Sequence, residues 1–471
     1  MAADDSFDRF FIAKQKIQQR NRMKSIAGSS SRQSLDFKNF ISSKDFSSLS
    51  DSFEWVRVFD PATTLYCFLH QILNQCSCKG ALAHLNVHRH NMGLKKASMN
   101  TAAYTKAKKR LSESKIWEVL KKTGERIENS AGAWKWRGRD VFLVDGTVIN
   151  LEDTNQIKEE YPLTYSKGRA QGQPKLRLLG VFGLASGAFV DGEIGAYSGK
   201  GQAETSLFQK IIPRVKAGSV LVLDRFFTSF FLQSSLRNSG IDYVIRARDQ
   251  KAKKLLGRKT DIVVTLKRPY EHAAGIYDHE SAPKTIQVRL IKSTIKREGF
   301  RPASIYIMSS LLCQKTFRKR EVEELYLQRW GVEVDIRNLK CTLEARELKS
   351  KTPSQARKEL GVSLLAYNLV RKVTVKASGF GKVAPRKISF KTSLKAYCEI
   401  LNVLGKSGFE CLEELLCGEI LNSKYRREPR ALKKRNNRYP LLMTSRKNSI
   451  NETWGYGRRR GQKGLTAGEA A

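Results

Sequence analysis

Apolar positions along this chain recur with two periods, and the change between them divides it. From Phe53 to about Asn129 the spacing is helical, as in LYCFLHQIL. In YTKAKKRLSESKIWEVLKKTGERI, basic residues lie opposite Leu111, Trp117 and Leu120. A helical, basic domain over 53–130 is the reading. Beyond it the apolar runs shorten to strand length. VFLVDGTVINL (141–151) is expected as a buried strand, LRLLGVFGLASGAFVDGEIGAY as two strands about a turn at Ser186-Gly187, and SVLVLD (219–224) as another short strand. RFFTSFFLQSSLRNSG then reads as a helix closed by Gly240, and IDYVIRA as a strand. This order of elements is α/β.

Residues 248–303 alternate in short Thr, Val and Ile stretches (DIVVTL, TIQVRLI) with Pro269 and Pro283, the pattern of a β-rich insertion. IYIMSSL returns to core-strand character. EVEELYLQRWGVEVDIRNLKCTLEA and ARKELGVSLLAYNLVRKVTVKA each read as one long amphipathic helix, completing a core over 131–247 and 304–378. The two ends differ in kind. Residues 25–52 hold eleven Ser and few large apolar groups, too little to offset the entropy of ordering, so 1–52 reads as a flexible lead-in. Residues 379–471 read as helical, then basic: from 423 onward fourteen Lys or Arg stand against three Glu.

Charge narrows the partners. Lys and Arg number 86 against 45 Asp and Glu, a formal net charge of +41 over 471 residues. Such a surface repels itself unless a polyanion lies against it, which points to nucleic acid. No apolar run approaches the roughly 18 residues of a membrane span, so no membrane partner is expected. MAADDSFDRFF lacks the basic-then-apolar order of a secretory signal, and eight scattered Cys read as reduced thiols; both suit a cytoplasmic, nucleoid-associated protein.

Three acidic residues carry the candidate chemistry. Asp145 and Asp224 each end an apolar run and are followed by an expected turn or helix start, the place where strand ends in an open α/β sheet face a ligand crevice. Either could equally cap a turn. Glu333 is marked by its neighbours: Tyr326, Arg329, Glu333 and Lys340 fall within about 60° of arc on one helix face, at roughly 100° per residue. Arg337 joins them, beside an apolar stripe of Leu325, Val332, Ile336, Leu339 and Leu343. A solvated charged face would look similar, but it requires neither Tyr326 nor Gly331, a helix-interior glycine that costs about 1 kcal/mol relative to Ala.

The spacing Tyr-x2-Arg-x3-Glu-x6-Lys, with Asp145-Gly146-Thr147 and Asp224-Arg225-Phe226-Phe227 upstream, resembles the cut-and-paste DDE transposases of bacterial insertion sequences. LYLQRWGVE, ELKSKTPSQARKELGVSLLAYNLVRKV and EPRALKKRNNRYPLL extend the likeness, which runs from about Ser98 to Arg446. The resemblance implies a ribonuclease H-like catalytic core interrupted by the β-rich insertion. It implies Asp145, Asp224 and Glu333 as catalytic metal ligands, and Tyr326, Arg329 and Lys340, with Arg337 beside them, as DNA contacts. The implied cofactor is two Mg²⁺ or Mn²⁺ ions, which activate a water or 3′-hydroxyl and stabilise the leaving oxygen. The implied partners are double-stranded transposon ends and target DNA, held by a homodimer. A ribonuclease H-like nuclease without strand transfer, or a non-catalytic basic DNA-binding protein, would share many of these features.

Weaker signals point elsewhere. Cys76, Cys78, His84, His88 and His90 invite a zinc reading, but Cys-x-Cys is not the usual spacing. Gly195 to Gly201 lacks a spacer and the final Ser or Thr of a phosphate loop, so no nucleotide cofactor is expected. Within the insertion, Tyr270 or Tyr277 is a candidate for holding a flipped base, although packing is the commoner use of such a Tyr.

Overall fold

The computed structural model describes residues 58–403 apart from 92, 167–168, 272–274 and 296–302. The Ser-rich lead-in, Cys411, Cys417 and the basic tail lie outside the described residues. The chain forms two compact units. The first runs to Ser219 and resumes at Trp330; the second holds Val220–Arg329.

Among the described residues the first unit begins with four helices: α1 (Pro61–Leu73), α2 (Cys78–Asn91), α3 (Thr101–Arg110) and α4 (Glu113–Ser130). Their starts are written in the sequence. The side chains of Asp60, Asn100 and Ser112 accept from Thr63, Ala102 and Lys115 backbone N–H groups, and Pro61 fills a first-turn position that needs no donor. Then come β1 (Val141–Asn150), α5 (Asn155–Glu160), the hairpin β2 (Thr164–Ser166) and β3 (Arg169–Gln171), β4 (Lys175–Gly183), β5 (Phe189–Ala196) and α6 (Glu204–Ile211). β1 pairs antiparallel with β4, and β4 with β5. Helix α4 lies on β5 so closely that a Cβ at Gly124 would stand 2.0 Å from the Phe189 carbonyl oxygen, a position only glycine can occupy.

One expectation is corrected here. The turn expected after Asp145 is absent, while the strand expected over 141–151 forms: β1 continues to Asn150, and Asp145 pairs with Gly180 in mid-ladder. Gly146-Thr147 reads as a turn locally, but nine consecutive register pairs with β4 override that preference.

The second unit contains β6 (Val220–Leu223), α7 (Phe230–Asn238), β7 (Asp242–Arg246), α8 (Asp249–Leu256), β8 (Asp261–Lys267), β9 (Thr285–Ile295), β10 (Ala303–Ser309) and α9 (Lys319–Leu327). Its strands run β6-β7-β10-β9-β8, with β6 and β7 parallel and the rest antiparallel. The strands of 248–303 therefore extend this sheet from β10 outward. Phe231, Ala252, Val288, Leu290 and Met308 share one buried cluster there, so helices and insertion strands have a common core.

Back in the first unit stand α10 (Trp330–Arg337), a π-helical turn at Asn338–Thr342, α11 (Pro353–Gly381) and α12 (Phe390–Val403). The single long helix expected over 321–345 is thus two helices. Gln328 N–H donates to Glu324 and Leu325 carbonyls and Arg329 N–H to the Tyr326 carbonyl, tightening the last turn of α9 and closing it. The physical reason lies in packing: α9 packs on β7 and β9 of its own unit, whereas α10 packs on β1 of the first. The second expected helix is continuous in α11, capped by Thr352 with Pro353 at its first position.

Candidate active site

In the first unit, β1 side chains alternate between two faces, so Leu143, Asp145 and Thr147 share one of them. The Asp145 carboxylate is half-buried and accepts the Gly146 N–H at 2.9 Å. Across the ladder, Gly180 offers no side chain, and the Phe182 ring leans over it. The segment carrying Glu333 crosses this same face and touches it on both sides of Asp145. At one end a Cβ on Gly331 would stand 3.3 Å from Leu143 Cδ1. At the other, the Lys340 ammonium donates to the Val148 carbonyl at 2.8 Å and to Thr147 Oγ1 at 3.3 Å. Burial, then repulsion from Arg346, lowers the Lys340 pKa from its ordinary value. Between these contacts Glu333 is exposed, as is Arg337, while Val332 and Leu339 are buried. The helix-interior Gly331 is accounted for by close side chains, Leu143 and the Arg386 guanidinium.

In the second unit, β6 and β7 end together: Leu223 pairs with Ile245, so Asp224 and Arg246 follow side by side at the carboxyl ends of parallel strands. Asp224 enters a one-turn 3₁₀ segment, Arg225–Phe227, without making a side-chain cap, which removes the commonest structural use of such an aspartate. Tyr326 is buried close by. Burial raises its hydroxyl pKa and Asp224 adds to the rise, while Arg329 and Arg246 oppose it, Arg329 also by a side-chain hydrogen bond. Asp224, Arg246, Tyr326 and Arg329 therefore share one locale. Arg246 escaped the sequence reading; its signal was the first charged side chain after the apolar run of IDYVIRA.

The loop that feeds α9 is held from the β-rich part of the unit. Arg289, fully buried, meets Asp261 with two bonds of 2.8 and 2.6 Å and donates to the Phe317 carbonyl at 2.6 Å. Phe226, two residues beyond Asp224, is 60% exposed. In the insertion, Tyr270 is 82% exposed, whereas Tyr277 packs against the apolar cluster of the unit.

The three expected carboxylates are divided, Asp145 and Glu333 in the first unit and Asp224 in the second. Among the described residues no group of three His, Cys, Asp or Glu side chains is arranged to hold a metal ion. In the helical region, Tyr66 hydroxyl meets His84 Nε2 at 2.6 Å, the His70 and His84 rings stack at 3.7 Å, and Cys76 Sγ lies 3.7 Å from His70 Nδ1.

Residues 136–369 match the sequence family described as Transposase DDE domain, a span reaching from just before β1 through α10 into α11. The chain is a DDE transposase. Over 359 residues it is 25% identical to the transposase InsG for insertion sequence element IS4 of Escherichia coli (strain K12), covering 72% of this chain and 78% of that relative. A solved piggyBac transposase synaptic complex with hairpin DNA overlaps at a TM-score of 0.42 and 12% identity, over 89% of each chain. The DDE transposase is a metal-dependent enzyme whose partner is DNA. Among its described residues no helix is long and apolar enough to cross a membrane.

Proposed function

We propose that this transposase cleaves phosphodiester bonds at the inverted-repeat ends of an insertion sequence and joins the freed 3′-hydroxyls to target DNA, with Asp145, Asp224 and Glu333 holding two Mg²⁺ or Mn²⁺ ions. The observation that carries this reading is the path of the Glu333 segment, which is fastened to β1 at Leu143 and at Thr147-Val148, on either side of Asp145. The donor set fits hard divalent cations: three carboxylates, with neither thiolate nor imidazole among them. When bound, such ions polarise the scissile phosphate and lower the pKa of the attacking hydroxyl.

The chain's own residues do the positioning. Arg329 grips a backbone phosphate by its planar fork, and Arg337 and Lys340 supply further positive charge along the DNA path. Tyr326 is 3% exposed, so its place is behind Arg329, which its hydroxyl orients. The region of β1, β4 and β5 followed by parallel β6 and β7 is read as a ribonuclease H-like core. α1–α4, with basic residues clustered on α3, are read as the end-binding domain, and two ends call for two protomers on DNA.

Pre-cleaved end DNA incubated with the enzyme, Mg²⁺ and a target plasmid tests the reading. Joined products are expected. Hydrolysis of uncut ends without joined products would leave a nuclease of the same family instead.

A further inference from the structure

Helix α10 has eight residues and ends in a π-helical turn, so its own hydrogen bonds cannot fix it; its orientation must come from tertiary contacts. Glu333 and Asp335 lie about 200° apart around a helix of roughly 100° per residue, so one points outward where the other points inward. Asp335 is fully buried, and each of its oxygens lies against a guanidinium, Oδ1 in a hydrogen bond and Oδ2 in an ion pair whose angle falls short of one. Oδ1 accepts from Arg371 of α11 at 2.5 Å, and Oδ2 pairs with Arg386 at 2.8 Å.

Neither arginine is free to swing. Arg371 Nε donates to the Tyr367 hydroxyl at 2.8 Å, which in turn donates to the Gly187 carbonyl at 2.7 Å. Arg386 Nε donates to the Leu184 carbonyl at 2.7 Å and its NH2 group to the Gly183 carbonyl at 2.8 Å. The turn between β4 and β5 thus anchors both cations, and it is itself held from α4 by Glu128, which accepts from Ala185 and Ser186 N–H groups at 3.2 and 3.0 Å. Arg386 also fills the space a side chain at residue 331 would need: a Cβ there would stand 2.7 Å from its NH1 atom.

A buried cluster of one carboxylate and two guanidinium groups is a poor way to gain stability, because desolvation offsets most of the attraction. What such a cluster does supply is direction: only one rotation of α10 satisfies both arginines. We propose that Asp335, clamped by Arg371 and Arg386, is a positioning residue that sets the rotation of α10 and so the direction in which it presents Glu333. This rests on the reading of Glu333 as a metal ligand.

The test is cleavage of end DNA as a function of Mg²⁺ concentration, with DNA affinity and melting temperature measured on the same preparations. Asp335→Asn is expected to lower the maximal rate by about 100-fold and raise the half-saturating Mg²⁺ concentration by about tenfold, the scale seen when a group supporting a metal ligand is removed. Its affinity for end DNA stays within about twofold, since the residue is buried away from any ligand. Arg386→Lys, which keeps the charge but not the planar fork, shows a smaller loss of the same kind, and it decides the matter if Asp335→Asn does not fold. Unchanged Mg²⁺ dependence in the folded variants, with rate falling only as stability or DNA affinity falls, overturns the proposal. Glu333→Gln separates the two layers. If it abolishes cleavage while the clamp variants keep wild-type Mg²⁺ dependence, only the clamp is refuted; if it leaves cleavage intact, the metal-ligand reading fails and takes the clamp with it.

Discussion

Removing Asp261 from beneath Arg289 isolates the contact that holds the α9 approach. The Arg289 side chain is 0% exposed and that of Asp261 17% exposed, and two short bonds join them. Asp261→Ala leaves a guanidinium buried with only the Phe317 and Leu311 carbonyls as acceptors. Breaking one side of a buried pair costs about 3–5 kcal/mol. The partial exposure of Asp261 admits water near the vacated site, so the low end of that range, about 3 kcal/mol, is the working figure. With an m-value of about 2–3 kcal/mol/M in urea, the unfolding midpoint should fall by about 1–1.5 M at unchanged m. Asp261→Leu combined with Arg289→Met should lose far less than Asp261→Ala alone, because no charge is left stranded. Urea titration followed by circular dichroism reads both. A shift below about 0.3 M for Asp261→Ala, or a double variant less stable than the single one, would show that the pair does not hold this unit together.

Two further outcomes follow from the site and the helical region. Lys340→Met removes the contacts to Thr147 and Val148 and, on the proposed function, one charge that faces DNA; end-DNA binding should weaken, with the slope of log affinity against log salt reduced by about 1 in filter-binding titrations. An unchanged slope would place Lys340 in structure alone. His84 is pushed down to about 4 from 6.5, first by burial and then by His70 and His88. The unfolded chain then binds a proton that the folded one refuses, so stability is complete above about pH 6.5 and drains away as pH falls toward about 4. Melting temperature measured across that window should drop more steeply for the wild type than for His84→Asn, and parallel curves would refute the assignment.

Much of this architecture is legible in the chain because its apolar runs are short and bounded. β1, β4, β5, β6, β7 and β10 each coincide with a run of Val, Leu, Ile or Phe, and α11 with a periodic stretch that opens on Thr352-Pro353. What escaped reading depends on partners distant in sequence. Gly146-Thr147 looks like a turn until β4 is laid beside it. The break after Leu327 is marked by no proline, and Gly331 serves packing against Arg386 and Leu143. Asp335 had a usable signal: it stands three residues after Val332, on the flank of the apolar stripe, where an acid that turns inward has to find a buried partner. Its partners, Arg371 and Arg386, are 36 and 51 positions away, and no local pattern names them.

The central claim is that Asp145, Asp224 and Glu333 share divalent ions, and exchanging the metal preference of each ligand tests it most directly. Each is replaced in turn by Cys, whose softer sulfur disfavours Mg²⁺ and tolerates Mn²⁺ better. Cleavage of end DNA in Mg²⁺ should vanish in all three variants and return in part with Mn²⁺. Full Mg²⁺ activity in any one of them would contradict the account.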